Sequence, residues 1–360
     1  MPDEKLPLTI RPGSSIALVG SQGGRIVAEM VDGALSISRA DAHMIRELTP
    51  RFTIGDSQFC EPDYLQILRW ASSLALTPEI VVERLLVEPD KVWEKKYQTE
   101  IVNGRIKQIF WKFDLLPTIS FELNEGLLIE ALVFETSARF RPAPFAIKST
   151  TLKSLGCGVG CVDLMRSEVP NLRKLDCCVN ELADLDLSMF PLLTELMCSY
   201  NKFPNLNLKS VPMLEELWCS DNQLEELDLL SVHSLSKLWC CENRISKLEL
   251  STVPLLTYLR CSGNSLTKLD LSGIPQLTTL YCHRNQLSVL ELSSVPKLVT
   301  LCCFDNQLTT LDVSHTPDLV SLRCQGNQLT ELDIRPLRKL KRLHYDANRT
   351  RLIQRPDQKF

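Results

Sequence analysis

The 360-residue sequence lacks the features that mark membrane and secreted proteins. It has no apolar run of about 18 residues, so no transmembrane helix is expected. The first residues, MPDEKLPLTIRPG, place no apolar run of about seven residues behind a basic region, so no secretory signal peptide is expected. These absences predict a cytoplasmic protein, or one delivered by a route that needs no signal peptide.

An excess of charge of either sign is also missing. The formal net charge is −4, with 40 Lys and Arg against 44 Asp and Glu. A chain this close to balance has no general attraction for nucleic acid or for a strongly charged partner. We therefore do not expect nucleic acid to be its partner.

One motif recurs through the second half of the chain. Around a repeated Asn the frame reads L-x-x-L-x-C-x-x-N-x-L-x-x-L-D-L-S-x-x-P. A fixed period of about 20 to 29 residues with this Leu spacing is typical of a leucine-rich repeat solenoid. We predict about nine to ten coils, with a parallel β-sheet on the concave face. The Asn stands every 21 residues in nine copies, at Asn180, Asn201, Asn222, Asn243, Asn264, Asn285, Asn306, Asn327 and Asn348.

Cysteine is abundant, with 14 residues, but its placement argues against disulfides. In-register parallel strands hold equivalent side chains side by side, so we interpret the repeated Cys as small buried fillers in a reducing compartment. A zinc site is the alternative, although the spacing of Cys157, Cys161, Cys177 and Cys178 departs from paired zinc ligands. We expect no metal or other cofactor. Eight Cys stand three residues before the Asn, at Cys177, Cys198, Cys219, Cys240, Cys261, Cys282, Cys303 and Cys324.

The same register predicts which side chains leave the core. Residues six, four and two before each Asn alternate with inward Leu and Cys, so they should face the concave surface. Exposed aromatic and Arg side chains dominate binding hot spots, and we expect a protein or peptide partner there. The alternatives are that the N-terminal domain or a second copy of the chain covers this patch. The predicted ligand-binding residues are Met197, Trp218, Trp239, Tyr258, Arg260, Tyr281, His283, Phe304 and Arg323.

Two charged features flank this surface. The residue six after the Asn is acidic in most coils, and we expect it on the convex side, where it keeps the protein soluble or meets a basic partner. Basic residues dominate the C-terminal end, which we interpret as solvated capping charge, with an anion-binding patch as the alternative. They are Arg335, Arg338, Lys339, Lys341, Arg342, Arg349, Arg351, Arg355 and Lys359.

The repeats resemble a known family. The stretches Leu280-Tyr-Cys282-His-Arg-Asn285 and Leu322-Arg-Cys324-Gln-Gly-Asn327 are similar to the 21-residue, Cys-containing repeats of bacterial internalin J-type proteins. The resemblance covers about residues 150 to 350. It implies that the repeats bind a protein or host surface through the concave face. Bacterial effectors that use leucine-rich repeats to recognise a target are a related possibility.

The first 140 residues carry no repeat and read as an α+β domain. Apolar runs around 21–24 predict one hairpin, and Asn103-Gly104 predicts a second. A third is expected around 124–126, giving a β-meander. Helices are predicted after Ser38, from Pro62 to Thr77, and again from Thr77-Pro78, where Thr is the N-cap. The Gly-rich stretch 20–24 lacks the spacing of a phosphate-binding loop, so we interpret it as a hairpin turn.

These observations predict where the domains begin and end, and they suggest three hypotheses for the function. We predict an α+β domain at 1–140, a connection at 141–150, the solenoid at 151–350 and a basic tail at 351–360. The primary hypothesis is a recognition module that is not an enzyme. One alternative is an effector or regulator with a catalytic N-terminal domain, where Cys60 and His43 could act as nucleophile and base. Another is a structural protein that self-associates through the aromatic patch.

Overall fold

The computed structural model describes residues 29–31, 34–36, 51–87, 98–112, 115–116, 123, 127–135, 144–158 and 160–360. The chain divides into two compact units, Met1–Pro142 and Ala143–Phe360. In the described ranges, no helix combines the length and the apolar character that crossing a membrane requires. The predicted hairpin at 21–24 and the predicted helix after Ser38, which contains His43, fall almost entirely outside these ranges.

The first unit combines short strands with two helices. Strands β1 and β2 pair antiparallel, as do β3 and β4, and β5 with β6. The sequence had not suggested β3 and β4. In chain order the described elements are β1 (Glu29–Val31), β2 (Ala34–Ser36), β3 (Arg51–Ile54), β4 (Ser57–Cys60), α1 (Glu61–Leu74), α2 (Pro78–Leu85), β5 (Glu100–Val102), β6 (Arg105–Lys112) and β7 (Ala131–Glu135).

Local sequence explains two boundaries in this unit. Thr77 caps α2, because its side-chain oxygen accepts a hydrogen bond from the Ile80 amide at 3.4 Å. Asn103 and Gly104 both have positive φ, at 51° and 75°, as a two-residue hairpin turn between β5 and β6 requires. Both predictions are confirmed. Helix α1 ends earlier than predicted, since Ala75 adopts a left-handed conformation at φ 53°.

The predicted meander is wrong at β7. Strand β7 pairs parallel to β6, with Gln108 opposite Ala131 and Lys112 opposite Glu135. A parallel pair cannot be joined by a tight turn and needs a crossover of about a dozen residues or more. The chain between Lys112 and Ala131 supplies that length. Most of the residues predicted to form the third hairpin lie outside the described part of the chain.

The second unit is a solenoid, and the leucine-rich repeat prediction is confirmed. Ten strands form one parallel sheet with a regular offset of about one repeat between neighbours. They are β8 (Ser154–Gly156), β9 (Lys174–Asp176), β10 (Glu195–Met197), β11 (Glu216–Trp218), β12 (Lys237–Trp239), β13 (Tyr258–Arg260), β14 (Thr279–Tyr281), β15 (Thr300–Cys302), β16 (Ser321–Arg323) and β18 (Arg342–His344).

The core of the solenoid is built from the repeated Leu and Cys. The central Leu of each strand from β8 to β16 is buried, as are all eight Cys of the repeat position. Burial of such side chains stabilises a fold by roughly 1.5 to 3 kcal/mol each. All 14 cysteines are free thiols. The thiol pKa of Cys240 is raised well above its ordinary value by burial, so it is neutral packing material.

The Asn column supplies hydrogen bonds between coils, as predicted. The Asn264 amide nitrogen donates to the carbonyl oxygens of Cys240, Cys261 and Ser262 at 2.9, 3.1 and 3.3 Å. Its side-chain oxygen accepts from the Ile245 amide of the preceding coil at 3.0 Å. Each such Asn therefore satisfies backbone groups of its own coil and of its neighbour, which a buried bend would otherwise leave unpaired.

The turns that follow the Asn are stabilised by a second kind of hydrogen bond, from a backbone amide to the acidic side chain two residues before it. Asp270 accepts a hydrogen bond from the amide of Ser272 at 2.9 Å, and Asp312 accepts from Ser314 at 2.8 Å. The acidic position on the outer side thus caps a local turn, in addition to carrying charge. Asn207 occupies the same position and accepts from the Lys209 amide in the same way.

Both ends of the solenoid depart from the regular coil. At the start, residues of the predicted connection already bridge to the first coil, with Phe145 opposite Val162 and Lys148 opposite Glu168. Two single-turn 3-10 helices, Leu164–Arg166 and Leu187–Met189, lie in the first coils. At the end, β17 (Glu331–Asp333) pairs parallel with β19 (Arg351–Ile353), outside the main sheet. Residues 351–353, within the predicted basic tail, are therefore part of the fold.

Candidate binding surface on the concave face

The strand register stacks the predicted binding residues in columns. Trp218 of β11 lies opposite Trp239 of β12, and Arg260 of β13 lies opposite Tyr281 of β14. Their neighbours Leu217 and Leu238 are buried, because successive residues of a strand point to opposite faces. The alternation places the Trp, Arg and Tyr side chains on the outer face of the sheet.

Exposure varies along the central column. Trp218 is 36% exposed and Arg323 is exposed, while Trp239 and Tyr281 are half-buried. Met197 differs, since only 8% of it is accessible. It offers little surface to a partner, so we leave it out of the surface described below.

The aromatic side chains form a continuous contact path across five coils. Trp218 and Trp239 have ring centroids 4.4 Å apart, and Trp239 lies 4.8 Å from Tyr258. The path continues from Tyr258 to Tyr281 at 6.2 Å. Edge-to-face and offset contacts at these distances stabilise aromatic pairs by about 0.5 to 1.5 kcal/mol. We call the following set the aromatic path: Trp218, Trp239, Tyr258, Tyr281, His283 and Phe304.

His283 links the Tyr end of the path to Phe304. Its ring stacks on Phe304 with centroids 4.2 Å apart and meets Tyr281 edge-on at 6.4 Å. Burial lowers the pKa of His283 to about 4, and the nearby positive charges of Arg284 and Arg323 act in the same direction. The imidazole is therefore neutral at pH 7. Its Nδ1 is 2.8 Å from the hydroxyl oxygen of Ser262, which fixes the ring in the stack.

Charges near the first strands are paired with one another. Lys174 Nζ lies 2.6 Å from Glu195 Oε2. Lys237 Nζ likewise forms a salt bridge with Glu216 Oε1, at 2.5 Å. Each of these pairs joins neighbouring strands beside the central column. The part of the concave face that carries the two Trp is thus close to electroneutral.

Arginines dominate the second half of the face. The Arg260 guanidinium carbon lies 4.5 Å from the centre of the Tyr281 ring and 5.6 Å from that of Tyr258. Arg323 lies 5.1 Å from the centre of Phe304. Such cation–π contacts hold a guanidinium in place without neutralising its charge. Among the described residues, neither Arg260 nor Arg323 forms an ion pair.

A hollow of about 260 Å³ opens at this end of the face. It contains two of the predicted residues, Tyr281 and Arg323. We call it the arginine hollow. Sequence reasoning placed Arg342 and His344 in the outward columns but left them out of the predicted site, because it followed the aromatic residues. The residues that line the hollow are Tyr281, Thr300, Leu301, Cys302, Ser321, Arg323, Arg342 and His344.

Several of the basic residues at the C-terminal end are paired with acidic side chains. In the C-terminal region Arg335 binds Asp333 through two nitrogens. Lys339 pairs with Asp318 at 2.6 Å, and Arg351 pairs with Glu331 at 3.6 Å. These pairs reduce the positive charge available to an external anion and fit the interpretation as capping charge.

The first unit offers no assembled catalytic group in its described part. Cys60 is buried, and its thiol lies 3.7 Å from the Asn103 carbonyl oxygen. Its suggested partner His43 lies outside the described residues. Asp63 is also buried; its Oδ1 accepts from the Ile106 amide at 2.9 Å, and its Oδ2 lies 2.9 Å from Arg105 Nε. Burial raises the pKa of Asp63, although the Ile106 amide and Arg105 both act to lower it. The carboxylate ties α1 to β6.

Comparison with known proteins identifies the fold. No family model and no curated protein matches the sequence. InlF, an internalin from Listeria monocytogenes, is 19% identical, with a TM-score of 0.50 over 61% of this chain and 74% of that one. The functional domain of InlJ from the same organism, which includes a cysteine ladder, is 26% identical, with a TM-score of 0.46 over 69% of this chain.

A Yersinia enterocolitica protein, YopM, gives a similar result. It is 26% identical, with a TM-score of 0.45 over 66% of this chain. This chain spans 62% of the InlJ domain and 59% of YopM, less than two thirds of each. The likeness to InlF shows the fold, a leucine-rich repeat solenoid of internalin type.

Proposed function

We propose that this leucine-rich repeat protein is a recognition module whose concave face binds an extended segment of a protein partner along the aromatic path. The observation that supports this most strongly is the unbroken contact of aromatic rings from Trp218 to Phe304 on an outward face. The stability of a solenoid does not require large aromatic residues at such positions. Stacked repeats create extended concave surfaces, and aromatic and Arg side chains contribute most of the energy at binding sites.

The dimensions of the path suit an extended peptide. Neighbouring parallel strands lie about 4.8 Å apart, so five coils span about 19 Å. An extended peptide rises about 3.3 Å per residue, so about six residues would cover that length. Partly exposed, preorganised rings lose little conformational entropy when a partner covers them. We therefore propose a linear segment, rather than a small ligand, as the element that binds.

The test removes the two Trp residues together. In the full chain, Trp218→Ala with Trp239→Ala should weaken partner binding by about 2 kcal/mol or more, roughly a 30-fold loss, because hot-spot aromatics contribute on this scale. Partners are captured from lysate on wild-type protein, identified by mass spectrometry, and titrated against both proteins. The double variant should still fold and should lose no more stability than its two aromatic contacts provide, about 1 to 3 kcal/mol.

A matched control removes apolar side chains elsewhere. Leu230 and Leu255 are exposed and lie outside the strands of the sheet. Replacing both with Ala should leave capture and affinity unchanged. Capture by the Trp double variant equal to that by wild type contradicts the proposal, as does the absence of any partner. If the wild type instead sediments as an oligomer that the Trp variant loses, the face serves self-association.

A further inference from the structure

We propose that the partner segment is acidic at one end, and that the arginine hollow binds one or more of its Asp or Glu carboxylates while the aromatic path holds its apolar part. This inference rests on the proposed function of the concave face and specifies the chemistry of the partner. It follows from the difference in charge between the two ends of that face.

The first step is the lack of internal counterions at the hollow. Near the Trp residues, the Lys174–Glu195 and Lys237–Glu216 salt bridges neutralise the charges. Arg323 and Arg342 line the hollow, and among the described residues neither forms a salt bridge with an acidic side chain. Cationic groups gathered in this way raise the local positive potential and attract an anionic ligand.

The second step is an unpaired polar atom inside the stack. Arg260 Nε is buried and, within the described part of the chain, has no hydrogen-bond partner. The same holds for Gln325 Oε1, which stands two residues after Arg323. A buried donor without a partner costs about 1 to 3 kcal/mol, and the same applies to a buried acceptor. Both atoms are shielded from solvent and lie outside the lining of the hollow. A peptide, which carries carboxylate oxygens and amide N–H groups, would pair with them only where the two side chains shift on binding.

The third step is the geometry of the hollow. Its volume of about 260 Å³ is large enough for a short acidic side chain with water. Arg323 and Arg342 are diagonal neighbours on the adjacent strands β16 and β18, since Arg323 pairs with His344 and Ser321 pairs with Arg342. Guanidinium groups bind carboxylates through two parallel N–H bonds, which gives both affinity and orientation. The hydroxyl groups of Thr300 and Ser321 add donors at the rim.

The distribution of charge favours a peptide over single-stranded nucleic acid. Stacked aromatics and Arg could hold successive bases, but every nucleotide also carries a phosphate. A strand along the whole path would place phosphates near Glu195 and Glu216. A peptide needs negative charge only at the hollow and can be apolar beside the Trp residues. The surface therefore matches a segment with charge at one end.

The experiment selects 12-residue random peptides, displayed on phage, against the full chain at 150 mM salt. Four baits are compared: wild type, Trp218→Ala with Trp239→Ala, Arg323→Gln with Arg342→Gln, and a control. The control replaces Arg244 and Arg349, two exposed Arg that each follow a repeat Asn, with Gln. Wild type and control should enrich peptides whose apolar residues are flanked on one side by Asp or Glu. The Arg323 and Arg342 variant should enrich apolar residues without the acidic end.

A synthetic copy of the most enriched peptide gives the quantitative result. Changing its acidic residues to Asn or Gln should weaken binding to wild type about tenfold, because a desolvated charge pair is lost. The same change should alter binding to the Arg323 and Arg342 variant by less than about twofold, since the interacting charges are already gone. Fluorescence anisotropy measures both affinities.

Each remaining outcome is decisive. Peptides that need the two Trp but carry no acidic enrichment overturn this inference and leave the proposed function in place. Failure to select any peptide that depends on the Trp residues overturns the proposed function and this inference with it. A 20-nucleotide oligo-uridine that binds more tightly than the selected peptide, and loses affinity in the Arg variant, identifies the surface as a nucleic-acid site instead.

Discussion

Leu238 and Trp239 are neighbours on β12 and illustrate the two faces of the repeat sheet. Leu238 is buried, and a Leu occupies its position on every strand of the sheet, because each coil must fit the coils beside it. Trp239 points outward, where the equivalent residues differ from coil to coil and include Met197, Cys302 and Arg323. The residue types on the inner face are therefore set by packing between coils. The outer face is less constrained, although Met197 and Cys302 are buried there, and its residue types differ from coil to coil.

The largest effect is expected from breaking the inner face at the Asn column. Asn264→Ala removes the bonds to Ile245, Cys240 and Cys261 and leaves buried backbone groups unpaired. Because each unpaired group costs about 1 to 3 kcal/mol, we expect a loss of about 3 kcal/mol or more in the free energy of unfolding. Urea unfolding followed by circular dichroism measures this loss.

The last repeat provides the matched control. Asn348 has the same place in the frame but is exposed. Asn348→Ala should change stability by no more than about 0.5 kcal/mol, as for most surface substitutions. Equal losses in the two variants would show that the Asn column does not stabilise the solenoid through these buried hydrogen bonds.

A smaller loss of stability is expected when the inward and outward faces are compared at two adjacent cysteines. Cys240 is buried and Cys241 is half-buried on the outer side. Cys240→Ser places a hydroxyl in an apolar column and should cost about 1 to 3 kcal/mol. Cys241→Ser should be nearly neutral, since Ser199, Ser220 and Ser262 occupy its position in other coils. Thermal unfolding of both variants measures the two losses of stability, with Cys240→Ala as the reference for the lost sulfur atom. Equal losses for Cys240→Ser and Cys241→Ser would show that the assignment of the two faces is incorrect.

The smallest effect concerns the turn on the far side of the coil. The bonds from Ser272 lower the pKa of Asp270 below its ordinary value of 3.8. A lowered native pKa stabilises the fold above the unfolded pKa, and this contribution disappears as pH falls through the native value. Asp270→Ala should therefore be slightly less stable than wild type at pH 7 and equal to it near pH 2.

Asp270→Asn is the control for this turn. An Asn side chain can accept the same bond, as Asn207 does from Lys209. Its unfolding midpoint should stay near that of wild type at pH 7 and show no loss attributable to this position at low pH. If Asp270→Ala keeps the wild-type midpoint at both pH values, the turn bond contributes nothing measurable.

Prediction from sequence succeeded where the signal was local or repeated. The pair Thr77-Pro78 specifies the start of a helix, and the pair Asn103-Gly104 specifies a hairpin turn. The Asn register predicts which side chains of the repeat face inward and which face outward. It failed at β7, because parallel pairing depends on how a long connection crosses the sheet. The register also placed Met197 on the outward face, where only 8% of it is exposed, since register gives direction but not accessibility.

The sequence by itself determined the solenoid, its period and the division between inner and outer residues, because a 21-residue repeat imposes the same contacts in every coil. Only the tertiary structure decided which outward side chains touch and which charges are neutralised. Lys237 meets Glu216 across two strands, whereas Arg260 stacks on Tyr281 and keeps its charge. Those outcomes depend on side-chain directions and spacing between coils, which a one-dimensional register does not contain.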